Sequence, residues 1–97
     1  MSPDPDSTPP AFRVDWPPGP TADLGRAFLA YFPSRQGFRV TRAERVITES
    51  LADDPERNGT VVSEGLYRIT ISPLRVQYEI LPINRVVRVL SVGFFPA

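Results

Sequence analysis

Arg68 and Arg75 are the residues whose type and spacing point most directly to chemistry. Each sits at an alternating position beside apolar neighbours, on either side of a turn at Ser72-Pro73. If Tyr67, Ile69 and Ile71 share a core with Leu74, Val76 and Tyr78, both guanidiniums project from the opposite face. Two converging guanidiniums can bind an anion and stabilise charge developing on a phosphate. Cross-strand ion pairing with Glu79 is the other role this pattern allows.

Composition narrows the remaining choices. The chain has 97 residues and neither Cys nor His. Disulfides, thiol nucleophiles, zinc sites of the usual kind and Ser-His-Asp triads are therefore excluded. The six glycines are isolated, so no phosphate-cradling loop is expected. Asp53-Asp54 stands before Pro55 at the end of a helical pattern and reads as capping rather than acid–base chemistry. No metal and no small-molecule cofactor is expected.

All eleven basic residues are arginine, and they balance eleven acids. The neutral total hides a polarised chain. Residues 26–48 hold five arginines against Glu44 alone, whereas residues 49–60 hold Arg57 against Glu49, Asp53, Asp54 and Glu56. Arg39, Arg42 and Arg45 on a helix, and Arg88 on a strand, are candidate nucleic-acid contacts. A solvated helix face with weak ion pairs is the plainer account of the helical ones.

These groups must be positioned by a small number of elements. Residues 1–10, rich in Pro and Asp, read as a disordered tail, and residues 11–97 as one domain. Ala11 to Trp16 alternates with period two and reads as a strand that Pro17-Pro18-Gly19-Pro20 stops. Thr21 caps a first helix carrying Leu24, Ala27, Phe28, Leu29 and Tyr31, ended by Pro33. Gln36-Gly37 turns the chain. Thr41 and Glu44 fit a capping box for a second helix, with Ala43, Val46, Ile47 and Leu51 on its apolar face. Residues 56–60 read as a loop. Three strands follow, Leu66 to Ser72, Leu74 to Ile80 and Val86 to Val92. The last, with its near-continuous aliphatic run, is expected to be central and buried on both faces. The fold class is α+β, β-α-α-β-β-β, a helical hairpin packed on an antiparallel sheet, with the first strand beside the last.

No apolar run approaches a membrane span and the N-terminus is not a basic, apolar leader, so a cytoplasmic protein is expected.

Four stretches taken in order resemble the RelE/ParE superfamily of toxins from bacterial type II toxin–antitoxin systems. They are Leu51 to Gly59, Leu66-Tyr67-Arg68-Ile69, Leu74 to Ile80 and Val86 to Gly93. The resemblance spans residues 11–95 and is strongest over 51–93. It implies a growth inhibitor neutralised by an antitoxin. The target would be messenger RNA at the ribosome, cut without metal, or DNA gyrase. Under the nuclease pattern Arg75 matches the arginine that stabilises the scissile phosphate, and Arg68 a basic position on the preceding strand. Thr70 stands where a second basic residue is common. Phe94-Phe95-Pro96-Ala97 stands where that pattern has a basic residue and a tyrosine. The implied alternative is a non-catalytic module of the same fold that binds nucleic acid or a protein. Phe94 and Phe95 would then be an apolar patch for the antitoxin, or would close the core against the helices.

Overall fold

The computed structural model of the chain describes residues 11–31 and 37–95. The elements among them are β1 (Arg13–Asp15), α1 (Pro18–Tyr31), α2 (Gly37–Asp53), α3 (Pro55–Asn58), β2 (Thr60–Ser63), β3 (Leu66–Ile71), β4 (Leu74–Leu81) and β5 (Val86–Phe94). The strands form one sheet in the order β1-β5-β4-β3-β2. The expected β-α-α-β-β-β order is present, and β1 does lie beside β5. That pairing is parallel, so the sheet is mixed rather than antiparallel. The tail expected over 1–10 and the residues Pro33 and Gln36 lie outside the described residues.

The helices begin earlier than their capping signals suggest. Pro17, Pro18 and Pro20 do not merely stop β1. Proline lacks only an N–H that the first helical turn leaves unpaired anyway, so the prolines open α1. Thr21 is consequently inside the helix. Its N–H donates to the Pro17 carbonyl at 3.0 Å and its hydroxyl to the Trp16 carbonyl at 3.0 Å. α2 opens at Gly37, four residues before Thr41, and the capping box does not form. The Thr41 hydroxyl donates instead to the Gly37 carbonyl at 3.5 Å. Glu44 accepts from the Thr48 hydroxyl at 3.2 Å, and Trp16 Nε1 donates to that same hydroxyl at 3.2 Å, tying β1 to α2.

Val40, Ala43, Ile47 and Leu51 recur at helical spacing and are buried against Ile69, Leu74, Val76, Tyr78, Val87 and Val89 of the sheet. The helices cover this inner face alone. β5 lies between β1 and β4, yet beyond Val86 only its inner face is covered, with Arg88, Leu90 and Ser91 exposed, which corrects the expectation of burial on both sides. A bulge lets the aliphatic run stay in register. Gln77 faces Ser91 and Tyr78 faces Val89, so Leu90 is the extra residue and projects half-exposed.

Residues 56–60 are not a simple loop. Asp54 accepts from the Arg57 N–H at 3.1 Å and caps α3, the capping role expected of the acid pair. Thr60-Val61-Val62-Ser63 then adds an edge strand, joined to β3 through Gly65 at φ +76°.

Arg85, in the turn between β4 and β5, holds φ at +52°, where a side chain is strained. Arg85→Gly removes that strain and should raise stability by about 0.5–1 kcal/mol, read from the urea midpoint.

Candidate functional site

The outer face of the sheet, which no helix covers, is where the two arginines meet. On β3 the buried Ile69 points inward, so Arg68 and Thr70 point outward. On β4 the buried Leu74, Val76 and Tyr78 place Arg75, Gln77 and Glu79 outward. The register pairs Arg68 with Gln77 and Thr70 with Arg75. Arg68 and Arg75 are thus diagonal neighbours, positions that lie about 7–8 Å apart in an antiparallel pair.

Their electrostatic surroundings differ from those of the third arginine on this face. Arg88 stands between two acids, with Nε 3.8 Å from Asp15 and Nη1 3.4 Å from Glu79. Glu79 therefore pairs with Arg88, not with Arg68 or Arg75. Among the described residues neither Arg68 nor Arg75 has a carboxylate within ion-pair distance. The charge on these two is not shared with a carboxylate among the described residues, whereas that on Arg88 is shared with its neighbours.

Two contacts hold Arg75 in place. Its Nε donates to the Thr70 hydroxyl at 3.3 Å. The ring of Phe95 covers the guanidinium, with Cζ 3.9 Å from the ring centroid. The Phe95 N–H donates to the Pro73 carbonyl at 2.7 Å, which fixes the ring above the β3–β4 turn. Thr70 thus orients a cation where the nuclease pattern would supply another. Nothing in the sequence pattern marks this Thr70–Arg75–Phe95 stack. It arises from the register and from β5 running past Val92 to Phe94.

The two phenylalanines separate. Phe94 faces Leu74 and, with Val92 and Gly93, lines a groove against Ala27 and Ala30 of α1. Phe95 lies on the outer face. Each is about two-fifths exposed, at 41% and 42%. They form neither one shared patch nor one joint closure of the core.

The helical arginines sit on the other side of the molecule. Arg42 and Arg45 lie on the exposed side of α2. Arg39 and Arg42 line a groove with Phe38, Val46, Ile71 and Ser72, beside the β3–β4 turn. The structure therefore brings Arg68, Arg75 and Arg88 to one face and keeps Arg39, Arg42 and Arg45 apart from them.

Among the described residues Tyr78 is the one group with a clearly displaced proton affinity. It is fully buried, its hydroxyl donates to the Pro55 carbonyl at 2.5 Å, and its ring stacks on Tyr67 with centroids 5.6 Å apart. Its pKa is pushed up to about 12, first by burial and then by the nearby Tyr67 and Asp54. The folded state thus keeps a proton that the unfolded chain releases near pH 10. Stability should be intact below pH 10 and fall by about 1.4 kcal/mol per pH unit as the pH rises from 10 towards 12. The chain has no lysine, so few other side chains titrate in that window. Urea midpoints across this range, with Tyr78→Phe as the flat reference, give the measurement.

No protein-family model matches this chain, and no curated protein sequence matches it. Solved structures do. A chain of the RelBE2 toxin–antitoxin complex from Mycobacterium tuberculosis superimposes with a TM-score of 0.67 at 20% identity, over 90% of this chain and 99% of that one. The chromosomal ParDE toxin–antitoxin system of Pseudomonas aeruginosa gives 0.69 at 11% identity, over 87% and 96%. The archaeal RelE–RelB complex of Pyrococcus horikoshii gives 0.51 at 17% identity, over 87% and 94%. The chain has the RelE/ParE fold across nearly its whole described length.

Proposed function

We propose that this protein is the toxin component of a type II toxin–antitoxin pair and that it engages a phosphate-bearing target through Arg68 and Arg75. The observation carrying this reading is the pair of diagonal guanidiniums on an open sheet face, without carboxylate partners among the described residues. The likeness in fold to toxin–antitoxin proteins supports it. A phosphate between the two arginines receives charge-assisted hydrogen bonds from both. In RNA cleavage the same donors stabilise the extra negative charge of the transition state.

A binding role without cleavage is the second reading, and two observations favour it. Phe95 covers Arg75 where the nuclease pattern carries basic and tyrosine side chains, and Tyr78 is buried on the inner face with a pKa far above neutrality. Without a positioned general base, cleavage loses about 10²–10⁴ in rate. The antitoxin would dock on the helix side. There Phe38 is 69% exposed beside Arg39 and Arg42, and β2 leaves the edge of β3 uncovered beyond Arg68.

Induced expression in a bacterial host, alone and with the neighbouring gene, tests this. Growth arrest relieved by the neighbour is the expected result. Cut transcripts assign messenger-RNA cleavage, and intact transcripts assign gyrase or another binding target. Normal growth at full expression overturns the toxin reading and leaves the binding module.

A further inference from the structure

Arg68 and Arg75 stand at opposite corners of a patch whose other two corners are Thr70 and Gln77. Thr70 faces Arg75 and Gln77 faces Arg68 across the β3–β4 ladder, and all four side chains leave from the outer face. Directly paired positions lie about 5 Å apart, and successive outward residues on one strand about 7 Å apart. The middle of the patch is therefore within reach of all four side chains.

The two neutral corners could each donate or accept, and their neighbours decide which. The Thr70 hydroxyl accepts from Arg75 Nε at 3.3 Å, so its own proton is directed elsewhere. Gln77 Oε1 accepts from the Ser91 hydroxyl at 3.4 Å. Ser91 is the β5 partner of Gln77, on the side away from Arg68. With the oxygen drawn towards β5, Nε2 is turned towards Arg68 and the middle of the patch. Among the described residues this amide nitrogen has no protein acceptor. Glu79, the next outward residue on β4, is engaged by Arg88 instead.

Solvation of an exposed amide does not require this orientation. A patch that presents donors at every corner, with no carboxylate among them, suits an anion with several acceptor oxygens. Each non-bridging oxygen of a nucleic-acid phosphate accepts more than one hydrogen bond, so two guanidiniums do not exhaust it, and neutral amides serve as phosphate donors beside arginine.

We infer that Gln77 Nε2 is the third donor to the phosphate held by Arg68 and Arg75, and that Ser91 is the positioning residue that turns it inward. This inference rests on the reading of the two arginines as a phosphate site.

The test measures binding of the full chain to a fluorescein-labelled oligouridylate over a range of salt concentrations. Gln77→Met keeps the length of the side chain and loses its donors. It is expected to weaken binding by about three- to tenfold and to leave the logarithmic salt slope unchanged, since a neutral donor displaces no counterion. Arg68→Ala and Arg75→Ala, run beside it, should each flatten that slope by about 0.7. Ser91→Ala should reproduce much of the Gln77→Met loss, Ser91→Thr should keep binding because it keeps the hydroxyl, and Ser91→Ala should add nothing to Gln77→Met. In the unaltered, isotope-labelled protein the Gln77 side-chain amide resonances should shift saturably with the RNA, a readout that needs no variant to fold. If the arginine variants weaken binding and Gln77→Met does not, the phosphate site stands and the inference is overturned. An unshifted Gln77 amide overturns it likewise. A flattened slope in Gln77→Met overturns it too, because the residue then acts through an arginine. A further loss on adding Ser91→Ala to Gln77→Met removes the positioning role. If neither arginine variant weakens binding, the phosphate site and this inference fall together.

Discussion

Gly59→Ala is expected to cost about 3–5 kcal/mol and to lower the melting temperature by roughly 10–25 °C, enough to leave a domain of this size largely unfolded when warmed. The reason is space, not backbone conformation. Gly59 has an extended backbone with φ −115°, which any residue adopts. A methyl group there would stand 1.7 Å from the Tyr78 hydroxyl oxygen and 2.8 Å from its Cζ. Tyr78 cannot retreat, being fully buried and stacked on Tyr67. Displacing it breaks the bond to the Pro55 carbonyl and leaves a buried acceptor unpaired, which costs about 1–3 kcal/mol by itself. Tyr78→Phe alone should cost about that amount. In the double variant the hydroxyl is gone, so part of the clash is relieved, and the combined loss should fall short of the sum by about 1 kcal/mol or more. Strict additivity in a urea-denaturation cycle would show that the phenol is not what excludes the methyl group.

Arg75→Ala is expected to have the largest effect on function. With no carboxylate partner among the described residues, its removal strands no buried charge and leaves the fold intact. It takes away one of the two arginines on the outer face that have no carboxylate partner among the described residues. If the protein cleaves RNA, the rate should fall by about 10²–10³. If it only binds, affinity for a single-stranded RNA should drop and the salt dependence should flatten by about 0.7 in the logarithmic slope, one phosphate contact. Arg57→Ala, on α3 and away from that face, is the matched control and should leave both unchanged. An Arg75→Ala variant that still arrests growth at equal abundance would remove this residue from the site.

The parts of the fold legible in the sequence were those with a strong period. Alternation over Leu66–Ile71 and Leu74–Leu81 placed both strands and put Arg68 and Arg75 on one face, because side-chain direction in a strand follows parity alone. The spacing of Ala43, Ile47 and Leu51 likewise gave α2 its inner face. Boundaries failed where two local rules competed. Pro17, Pro18 and Pro20 serve as readily at a helix start as at a strand stop. Thr41 can cap a helix, but the helix already runs from Gly37. β2 is not legible because four residues are too few to display a period, although the Gly65 turn after them is a hairpin signal. Within the site, both arginines were legible. Their freedom from Glu79 was not, since it depends on Arg88 and Asp15 standing across β5 and β1. The position of Phe95 over Arg75 depends on where β5 ends, and no spacing rule encodes that.

The bond from Trp16 to Thr48 turns the N-terminal strand into its own reporter. Trp16 is the chain's single tryptophan, so all indole emission comes from the point where β1 meets α2. β1 is three residues long and pairs on one side only, so few ladder contacts hold it. Fluorescence therefore watches the docking of that strand, while circular dichroism watches the helices and the sheet as a whole. If the two transitions coincide during unfolding, β1 melts with the core as one cooperative unit. If the emission changes first, the strand peels away while the sheet of β2 to β5 still stands.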